Sequence, residues 1–411
     1  MSRGVDLFAR ESGWKVETLQ SATILVAGVG ALGNEVLKNL ALLGVGRLIL
    51  VDFDHVEHHN LSRSVLFRES SAHHQLLKVE AAAEALINLN PSIDVVMIPG
   101  DLATDLGLAI LSEVDLAFGC LDNRLARLYL NRLCWKAGIP WVDAGILQLG
   151  GQVCSYVPGD SCYECQLSSS EWSDIRARMG CADVARQYIN SGRMPTTPIA
   201  ASIIGGIQVQ EGLKLLHESA ANRRGGVMFS YEGATLQAGQ YQRLGLKSDC
   251  LAHYDKIITV QAETISHQST LAEVFTYCSN VLGLVNPKLR LGHDVWKIQL
   301  KSKGRAVLVP KHRIDGRLLK CLGMDANLPF VAERGAWVHE IDSGSDWLGL
   351  RLWQLGISFG GALEILGTDR PVWIGLGQDL LQLCAVDGVF KVPDPWRDFS
   401  EAELQDVLER S

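Results

Sequence analysis

The stretch Ile24-Leu-Val-Ala-Gly28-Val-Gly30-Ala-Leu-Gly33 gives the strongest indication of how this chain folds. Its apolar start predicts a buried strand, and the Gly-x-Gly-x-x-Gly spacing predicts a tight turn that leads into a helix. The first two glycines would let backbone N–H groups approach a phosphate, and the third would let the helix pack close to the strand. Asp52 follows the next apolar run, where an acid can bind ribose hydroxyls. Taken alone, this pattern is typical of an enzyme that binds a nicotinamide dinucleotide.

The residues downstream of that acid do not suit a hydride-transferring enzyme. Asn60-Leu-Ser-Arg63 and Lys78 add an amide and two cations, and Asp122-Asn123 adds a carboxylate that can bind a divalent cation. Asp122 follows an apolar run, which predicts a place at the carboxyl end of a strand, where open α/β sheets bind their ligands. Paired cations and a magnesium ligand beside a phosphate loop indicate ATP cleavage rather than hydride transfer.

Each of these residues has a simpler interpretation when it is taken alone. A single Arg63 or Lys78 is usually a solvated surface cation, and Asp52 can be a turn former at the end of a strand. Asp122 can be the N-cap of the helix that is predicted to follow it. The joint occurrence of all four in this order makes a nucleotide site the better hypothesis.

Helix and strand patterns alternate from residue 24 to about residue 145. This alternation predicts an α/β protein with a Rossmann-like, doubly wound and mostly parallel sheet. Residues 159–200 are polar and rich in Ser, Pro and Thr, and they predict an irregular crossover segment. Beyond about residue 260, short helices mix with β-rich pieces and predict a smaller α+β domain. We therefore expect one domain at 1–258 and a second at 259–411, which would dock a partner.

Composition narrows the classes of function for this chain of 411 residues. Its net charge of −8 argues against nucleic acid and acidic membranes as partners. The longest apolar runs are broken by glycine or charge, and no signal-peptide pattern opens the sequence, so we expect a cytoplasmic protein without membrane spans. In that setting the ten cysteines are expected to be thiols, metal ligands or nucleophiles rather than disulfides.

Two short motifs predict a metal site. Cys162-Tyr-Glu-Cys165 is a C-x-x-C pair, and Cys250-Leu-Ala-His253 is a C-x-x-H pair further along the chain. Each pair can bind one edge of a metal ion, and two edges complete the tetrahedron of a structural zinc site. The alternative is a redox dithiol at Cys162 and Cys165 with an unrelated Cys250, but no thioredoxin-like pattern surrounds the motif.

Together the motifs resemble the adenylation domain of ubiquitin-activating E1-like enzymes of the ThiF/MoeB type. The resemblance covers about residues 5–255 and includes the glycine loop, Asp52-Phe-Asp54, Asn60-Leu-Ser-Arg63, Lys78 and Asp122-Asn123-x-x-x-Arg127. It implies an enzyme that uses ATP and Mg²⁺ to adenylate the C-terminal glycine carboxylate of a small ubiquitin-like β-grasp protein. The family also includes the bacterial activators of the sulfur-carrier proteins of thiamine and molybdopterin synthesis.

The resemblance implies roles for individual residues. Asp52 would bind the ribose, and Asp122 would bind Mg²⁺. Asn60, Arg63 and Lys78 would hold and polarise the phosphates. The other nucleotide contacts would come from the two strand-end loops, namely Gly28, Gly30, Ala31, Gly33 and Asn123. The structural Zn²⁺ would be bound by the four residues of the paired motifs, although the family has a cysteine where this chain has His253.

Cys181 is the predicted nucleophile of a second step. It lies in Arg176-Ala-Arg-Met-Gly-Cys181, where neighbouring arginines would favour a thiolate that attacks an acyl-adenylate. The family places its transfer cysteine in this crossover segment, so Cys181 would carry the acyl group as a thioester to an E2-like conjugating enzyme. Two departures from the family stand out: Cys181 lies about fourteen residues before Pro195-Thr-Thr197 instead of a few, and Ser64 replaces a glutamine. The alternative is a buried, inert cysteine.

Family members dimerise, and an N-terminal arginine of one subunit reaches the ATP of the other. The resemblance therefore implies a homodimer in which Arg3 or Arg10 acts in trans, although the usual Arg-Gln pair is absent.

Three other functions stay open at this point. The chain could be a sulfur-carrier-protein adenylyltransferase of cofactor biosynthesis, an NAD-dependent Rossmann oxidoreductase, or a dimeric scaffold without activity. The C-terminal region shows no recognisable rhodanese loop, and it is large for a plain sulfur-carrier activator. Both features favour conjugation over sulfur transfer.

Overall fold

The computed structural model describes residues 14–179, 196–219, 222–242, 245–253, 257, 259–299, 306–322, 335–367, 371–377 and 388–410. These residues form two compact units. Unit 1 comprises Met1–Ala103, Leu111–Lys256 and Leu380–Lys391, as far as these ranges are described. Unit 2 comprises Thr104–Ile110, Ile257–Asp379 and Val392–Ser411, with the same restriction. In the described ranges, no helix is both long and apolar enough to cross a bilayer.

The strands of the described residues are numbered in chain order. They are β1 (Thr23–Ala27), β2 (Arg47–Val51), β3 (Asp94–Ile98), β4 (Leu116–Gly119), β5 (Trp141–Leu147), β6 (Gly150–Tyr156), β7 (Val227–Glu232), β8 (Gln237–Gln242), β9 (Thr259–Ala262), β10 (Lys288–Gln299), β11 (Ala306–Pro310), β12 (Gly335–Asp342), β13 (Ala362–Leu366), β14 (Val372–Leu376) and β15 (Val389–Lys391).

Unit 1 is built on a nine-stranded sheet with the order β15-β3-β2-β1-β4-β5-β6-β7-β8. The strands from β15 to β5 run parallel, and β6, β7 and β8 continue the sheet as antiparallel neighbours. The helices of this unit are Val16–Ser21, Ala31–Leu43, Glu69–His73, Lys78–Leu89, Arg124–Ala137, Tyr163–Gln166, Ser169–Met179 and Pro198–His217. The predicted fold class, a Rossmann-like and mostly parallel doubly wound sheet, is confirmed.

β1, β2 and β4 form the centre of unit 1, because all their residues are buried. Strands that are covered on both faces have continuous apolar runs rather than alternating ones, which is the pattern of Leu48–Val51. The helix Pro198–His217 packs against β4, β5 and β6. Gly212 permits this close approach, since a Cβ at this position would lie 2.3 Å from the ring of Phe118. The tight packing fixes β4, whose carboxyl end leads to Asp122.

One edge of this sheet comes from the far end of the chain. β15 pairs in parallel with β3, so that Phe390 aligns with Val96. Nζ of Lys391 donates to Oε1 of Glu80 at 3.0 Å, which ties β15 to the helix Lys78–Leu89 as well. Unit 1 therefore contains a strand that lies outside the alternating pattern of residues 24–145.

Unit 2 is a smaller α+β unit with a six-stranded sheet. The order is β11-β10-β13-β14-β9, and β12 pairs with β10. These pairs are antiparallel except for β14 and β9. The helix Leu271–Asn280 buries Leu271, Val274, Phe275 and Cys278 in the core of this unit. In the described residues, its other α-helices are Gly316–Cys321, Pro395–Asp398 and Glu401–Arg410, and Leu352–Leu355 forms a 3₁₀ helix. The expected α+β character of the C-terminal region is confirmed.

A buried ion network lies in unit 2. Arg313 donates to Oδ1 of Asp105 and, at 2.7 Å, to Oδ2 of Asp394, and all three side chains are nearly inaccessible to solvent. Asp105 belongs to Thr104–Ile110, which lies between β3 and β4 in sequence but packs with unit 2. The burial of three charged groups is tolerated because each has a partner of opposite sign.

The prediction that residues 159–200 are irregular is wrong where the chain forms the helices Tyr163–Gln166 and Ser169–Met179. The second helix begins with a capping box. Oε2 of Glu171 accepts from the backbone N–H of Ser168 at 2.9 Å, and Oγ of Ser168 accepts from the N–H of Glu171 at 3.3 Å. This Ser-x-x-Glu signal satisfies the first N–H groups of a helix and outweighs the polar composition of the segment.

Candidate nucleotide site and metal centre

The predicted nucleotide residues follow three neighbouring strands. β1 pairs with β2 on one side and with β4 on the other, and all three run parallel. Their carboxyl ends therefore lie at the same edge of the sheet. The chain order reverses between β1 and β4, and such a switch point in an open α/β sheet opens the crevice in which ligands bind.

The glycine loop combines two residues that the fold requires with one that it does not. Gly28 has a φ of +92°, and a Cβ there would lie 2.4 Å from the carbonyl oxygen of Cys120. A Cβ at Gly33 would lie 2.1 Å from the carbonyl oxygen of Gly28. At Gly30, in contrast, a Cβ would meet nothing within 4 Å. Because Gly30 precedes the helix that begins at Ala31, the open space lies where backbone N–H groups can bind an anion.

Asp52 joins the ends of β1 and β2. Its Oδ2 accepts from the backbone N–H of Val29 at 2.7 Å, and its Oδ1 accepts from the N–H of Asp54 at 2.8 Å. Burial raises the pKa of Asp52, against the opposing effects of Lys78 and of these two N–H groups. The carboxylate is thereby held directly beside the glycine loop, where a ribose hydroxyl can donate to it.

Lys78 is anchored to the same loop. Its Nζ lies 2.6 Å from Oδ2 of Asp54, and its backbone N–H donates to the carbonyl oxygen of Asp54 at 2.9 Å. The Lys78 side chain is 11% exposed, whereas Asp54 is 51% exposed, so the ammonium lies near the surface of the crevice rather than in bulk solvent. A lysine in this position can act as a point charge for phosphate.

Asn60 and Arg63 lie on the loop that follows β2. Oδ1 of Asn60 accepts from the backbone N–H of Glu57 at 2.9 Å, and Nη1 of Arg63 donates to the carbonyl oxygen of His59 at 2.8 Å. Further on, Oδ1 of Asn34 accepts from the N–H of Leu66 at 2.9 Å, which ties the loop to the helix after the glycine turn. Asn60 is therefore engaged within its own turn.

Asp122 and Asn123 have different roles at the end of β4. Asn123 is the N-cap of the helix Arg124–Ala137, because its Oδ1 accepts from the N–H of Ala126 at 2.8 Å. The simpler interpretation of Asp122 as that N-cap is therefore wrong. Asp122 is exposed, and its Oδ1 accepts from Nδ2 of Asn123 at 3.0 Å. This leaves a solvent-facing carboxylate at the strand end, which suits a ligand of Mg²⁺.

A buried ion pair behind this loop escaped the analysis of the sequence. Nε of Arg127 donates to Oδ1 of Asp143 at 2.9 Å, and its Nη2 donates to the carbonyl oxygens of Leu121 and Ala144 at 2.7 and 3.1 Å. Burial opposes the charged form of Arg127, but Asp143, Tyr163 and Tyr156 together outweigh this effect, and the pKa of Arg127 is raised. Arg127 thus connects the residue before Asp122 to β5.

The four predicted metal ligands come together in unit 1. Sγ of Cys162 lies 3.7 Å from Sγ of Cys165 and 3.7 Å from Sγ of Cys250, and Sγ of Cys165 lies 3.3 Å from Nε2 of His253. All four ligand atoms lie within 4.8 Å of one another. A tetrahedral zinc site with Zn–S bonds of about 2.3 Å requires sulfur atoms about 3.8 Å apart, which fits this set of donors.

The surroundings of these ligands also suit a cation. Burial raises the pKa values of Cys162 and Cys250 and lowers that of His253, so the thiols resist ionisation unless a positive charge is present. The backbone N–H of Lys247 lies 3.5 Å from Sγ of Cys165, and the ring of Trp135 stacks on His253 with centroids 4.3 Å apart. Because four protein ligands leave no open position, a metal here would be structural.

The helix Arg124–Ala137 connects this cluster to the nucleotide site. Arg132 binds Glu164 through two parallel bonds of 2.8 and 2.9 Å, and Oδ1 of Asn131 accepts from the N–H of Tyr163 at 3.0 Å. Glu164 is buried and lies between the two cysteines of the first motif. The helix that begins beside Asp122 therefore also carries the contacts that hold the C-x-x-C turn.

The sequence model of the ThiF family matches residues 2–252 of this chain. The chain belongs to the ThiF family. The resemblance that the motifs predict is thus confirmed at the level of the family, and the matched range includes the glycine loop, the strand-end residues and all but one of the clustered ligands.

Three curated relatives show which enzymes this ThiF-family chain is similar to in sequence. Adenylyltransferase and sulfurtransferase MOCS3 of Mus musculus is 33% identical over 308 residues, which are 72% of this chain and 62% of that protein. Molybdopterin-synthase adenylyltransferase of Escherichia coli (strain K12) is 32% identical over 202 residues, 49% of this chain and 75% of that enzyme. Ubiquitin-like modifier-activating enzyme 5 of Dictyostelium discoideum is 28% identical over 215 residues, 49% of this chain and 54% of that enzyme. The chain thus spans less than two thirds of the mouse protein.

Several predicted residues of the ThiF-family chain lie outside the described residues. They are the nucleophile Cys181 and the two N-terminal arginines, Arg3 and Arg10. Their roles stay predictions. Asp143 could not be predicted as a site residue from the sequence. Its partner Arg127 lies in a different element, and an aspartate within a predicted strand indicates only an interruption of the apolar run.

Proposed function

We propose that this protein adenylates the C-terminal carboxylate of a ubiquitin-like β-grasp protein with ATP and Mg²⁺. A carboxylate oxygen of the partner attacks the α-phosphorus, the bond from that phosphorus to the bridging oxygen breaks, and pyrophosphate leaves with the electron pair. The observation that carries the proposal is the convergence of the glycine loop, Asp52, Lys78 and Asp122 at the carboxyl ends of neighbouring strands in a ThiF-family chain.

The residues of this site have distinct tasks in the proposal. The N–H groups around Gly30 bind phosphate, and the Asp52 carboxylate accepts from a ribose hydroxyl. Arg63 and Lys78 neutralise the negative charge that develops as pyrophosphate departs, with Asn60 as a neutral donor. Asp122 holds Mg²⁺, which supplies Lewis-acid stabilisation of the phosphate oxygens when it is bound.

The four clustered ligands, Cys162, Cys165, Cys250 and His253, are proposed to hold a structural Zn²⁺. The sulfur separations and the convergence of all four ligand atoms within 4.8 Å support this assignment. The metal would tie the turn after β6 to the segment after β8 and take no part in the chemical step.

The fate of the acyl-adenylate divides the proposal into two branches. In the first, the Cys181 thiolate attacks the acyl carbon, AMP leaves, and the thioester passes to an E2-like conjugating enzyme. The relative named ubiquitin-like modifier-activating enzyme 5 and the arginine-rich sequence before Cys181 support this branch. In the second, a sulfur donor attacks instead, and the names of the mouse and Escherichia coli relatives support it. Unit 2 would dock the protein partner, and two copies of the chain would form the active homodimer.

Pyrophosphate exchange tests the adenylation step. The assay uses candidate β-grasp proteins that end in glycine, and exchange into ATP is expected to depend on one of them. Asp122→Ala is expected to abolish exchange, whereas Glu84→Ala, at an exposed carboxylate on the helix that begins with Lys78, is expected to retain it. Exchange that survives Asp122→Ala would refute the assignment, and binding of NAD without binding of ATP would favour the oxidoreductase.

A reducible adduct distinguishes the two branches. With ATP and the β-grasp partner, the first branch predicts a covalent complex that thiol reductant removes and that Cys181→Ser prevents. Cys321→Ser is the matched control, because Cys321 is a half-exposed thiol in unit 2. Full transfer to an E2-like enzyme by the Cys181→Ser protein would rule out the first branch.

A further inference from the structure

The loop that carries Asn60 and Arg63 is unusually rich in histidine. Five of the eleven histidines of the chain lie within twenty residues, namely His55, His58, His59, His73 and His74. His59 immediately precedes Asn60, and its ring contacts the Asn60 amide. This contact involves a residue that the proposed function places at the phosphates.

The hydrogen bonds around Asn60 determine which ring nitrogen of His59 carries the proton. Oδ1 of Asn60 accepts from the backbone N–H of Glu57 at 2.9 Å, which fixes the orientation of the amide. Nδ2, a donor only, then faces Nε2 of His59 at 3.2 Å, so Nε2 must present its lone pair. The ring proton therefore lies on Nδ1, which is 2.9 Å from Oε2 of Glu57.

His59 also acts through its main chain. Its carbonyl oxygen accepts from Nη1 of Arg63 at 2.8 Å and from Oγ of Ser62 at 3.1 Å. One residue thus contacts the amide of Asn60 with its ring and the guanidinium of Arg63 with its backbone. A displacement of His59 would move both groups together.

Among the described residues, the charged groups that contact His59 lie on its own loop. On its own loop they are the Glu57 carboxylate at Nδ1 and the Arg63 guanidinium at the carbonyl. From the helix Glu69–His73, Oε1 of Glu69 lies 3.1 Å from Nδ1 of the adjacent His58, so this acid is engaged by the neighbour. His58 therefore resembles His59 in sequence position and in having a carboxylate partner, but the contact of His59 with Asn60 distinguishes the two rings.

We propose that His59 is a positioning residue that holds the Asn60 amide for the nucleotide while its ring is neutral and releases this amide when the ring is protonated. The proposal rests on the proposed function of Asn60 and Arg63. A second ring proton at Nε2 would oppose the N–H groups of the Asn60 amide, and the amide cannot turn without giving up the bond from Glu57. The affinity for ATP is then lower when the His59 ring carries a second proton.

ATP binding at two pH values tests the proposal. His59→Gln places an amide oxygen near the position of Nε2, which accepts at any pH. From about pH 8 to about pH 6, the Kd for Mg-ATP of the unmodified protein is expected to rise about three- to tenfold more than that of His59→Gln, as the loss of one or two hydrogen bonds implies. His58→Gln is the matched control and is expected to behave like the unmodified protein. The comparison between variants cancels the titration of ATP itself.

A spectroscopic measurement tests the tautomer without nucleotide. In the full chain with ¹⁵N-labelled histidine, long-range ¹H–¹⁵N correlations are expected to show His59 with its proton on Nδ1 at about pH 8, and the signal is assigned by its loss in His59→Gln. A proton on Nε2, or identical pH dependence of ATP binding in the unmodified protein and His59→Gln, would overturn the proposal. Failure of every variant to bind ATP at either pH, with the Nδ1 tautomer present, would instead refute the proposed function.

Discussion

The pair Arg127–Asp143 offers a quantitative test of how the Asp122 loop is held. Asp143→Ala removes the carboxylate that Nε of Arg127 donates to and leaves a guanidinium whose side chain is only 14% exposed. Breaking a buried ion pair by removing one partner costs about 3 to 5 kcal/mol. Because the carbonyl oxygens of Leu121 and Ala144 still accept from Nη2, we expect the lower end, about 3 kcal/mol of unfolding free energy.

The loss can be measured by urea unfolding. With a denaturant dependence of about 3 kcal/mol per molar, Asp143→Ala should lower the midpoint of unit 1 by about 1 M. The double variant Asp143→Ala with Arg127→Met removes both charges, and it should be more stable than the single variant because no uncompensated charge stays buried. Equal stability of the two, or a single-variant loss below about 1 kcal/mol, would refute the view that the pair is held by its charge.

Asp143→Ala should also loosen the loop that carries Asp122 at the nucleotide site. Nη2 of Arg127 binds the carbonyl oxygen of Leu121, next to Asp122, and without Asp143 the guanidinium keeps this bond but loses the carboxylate that fixes its position. Hydrogen exchange measured by mass spectrometry should accelerate in peptides that cover 120–123 and stay unchanged in peptides that cover β2. Unchanged exchange at 120–123 would show that the loop is held by other contacts.

Three further predictions concern other parts of the chain. Cys165→Ser should lose bound zinc, measured by elemental analysis, together with thermal stability of unit 1, whereas Cys321→Ser should keep both. Lys78→Met should weaken ATP binding about tenfold or more in a calorimetric titration, yet change stability by less than about 1 kcal/mol, because its partner Asp54 is half exposed. Burial lowers the pKa of His312 to about 2, so the neutral form is favoured when unit 2 is folded. Unit 2 should lose up to about 1.4 kcal/mol of stability per pH unit as the pH falls below about 6.5, where an unfolded histidine takes up a proton, and His312→Gln should flatten this dependence in acid unfolding curves.

The bounds of β2 and β3 were predictable because the local sequence alone indicates them. Arg47–Val51 and Asp94–Ile98 have the bounds that the apolar runs indicate, since Asp52 ends the first run and Pro99 ends the second. The four clustered ligands could also be predicted to converge, because the paired spacing C-x-x-C and C-x-x-H carries its own geometry.

What escaped prediction depends on partners that are distant in sequence. β15 is only three residues long, and nothing in Val389–Lys391 indicates a parallel neighbour in β3. Asp105 and Arg313 are likewise two ordinary charged residues until the fold buries them against each other. The choice of Asn123 over Asp122 as N-cap is a shift of one residue, which propensity does not resolve because both residue types are favoured at that position.

The late position of β15 has a consequence for how the protein is made. β3 leaves the ribosome long before residues 389–391 exist, so throughout most of synthesis the Val95–Ile98 edge of the growing sheet has no neighbour. An uncovered apolar edge strand is a template for pairing with another chain. Nascent chains that terminate before β15 would keep this edge of β3 unpaired, whereas chains that include β15 cover it. β15 therefore covers this edge only after more than 280 intervening residues, from 99 to 388, have been made.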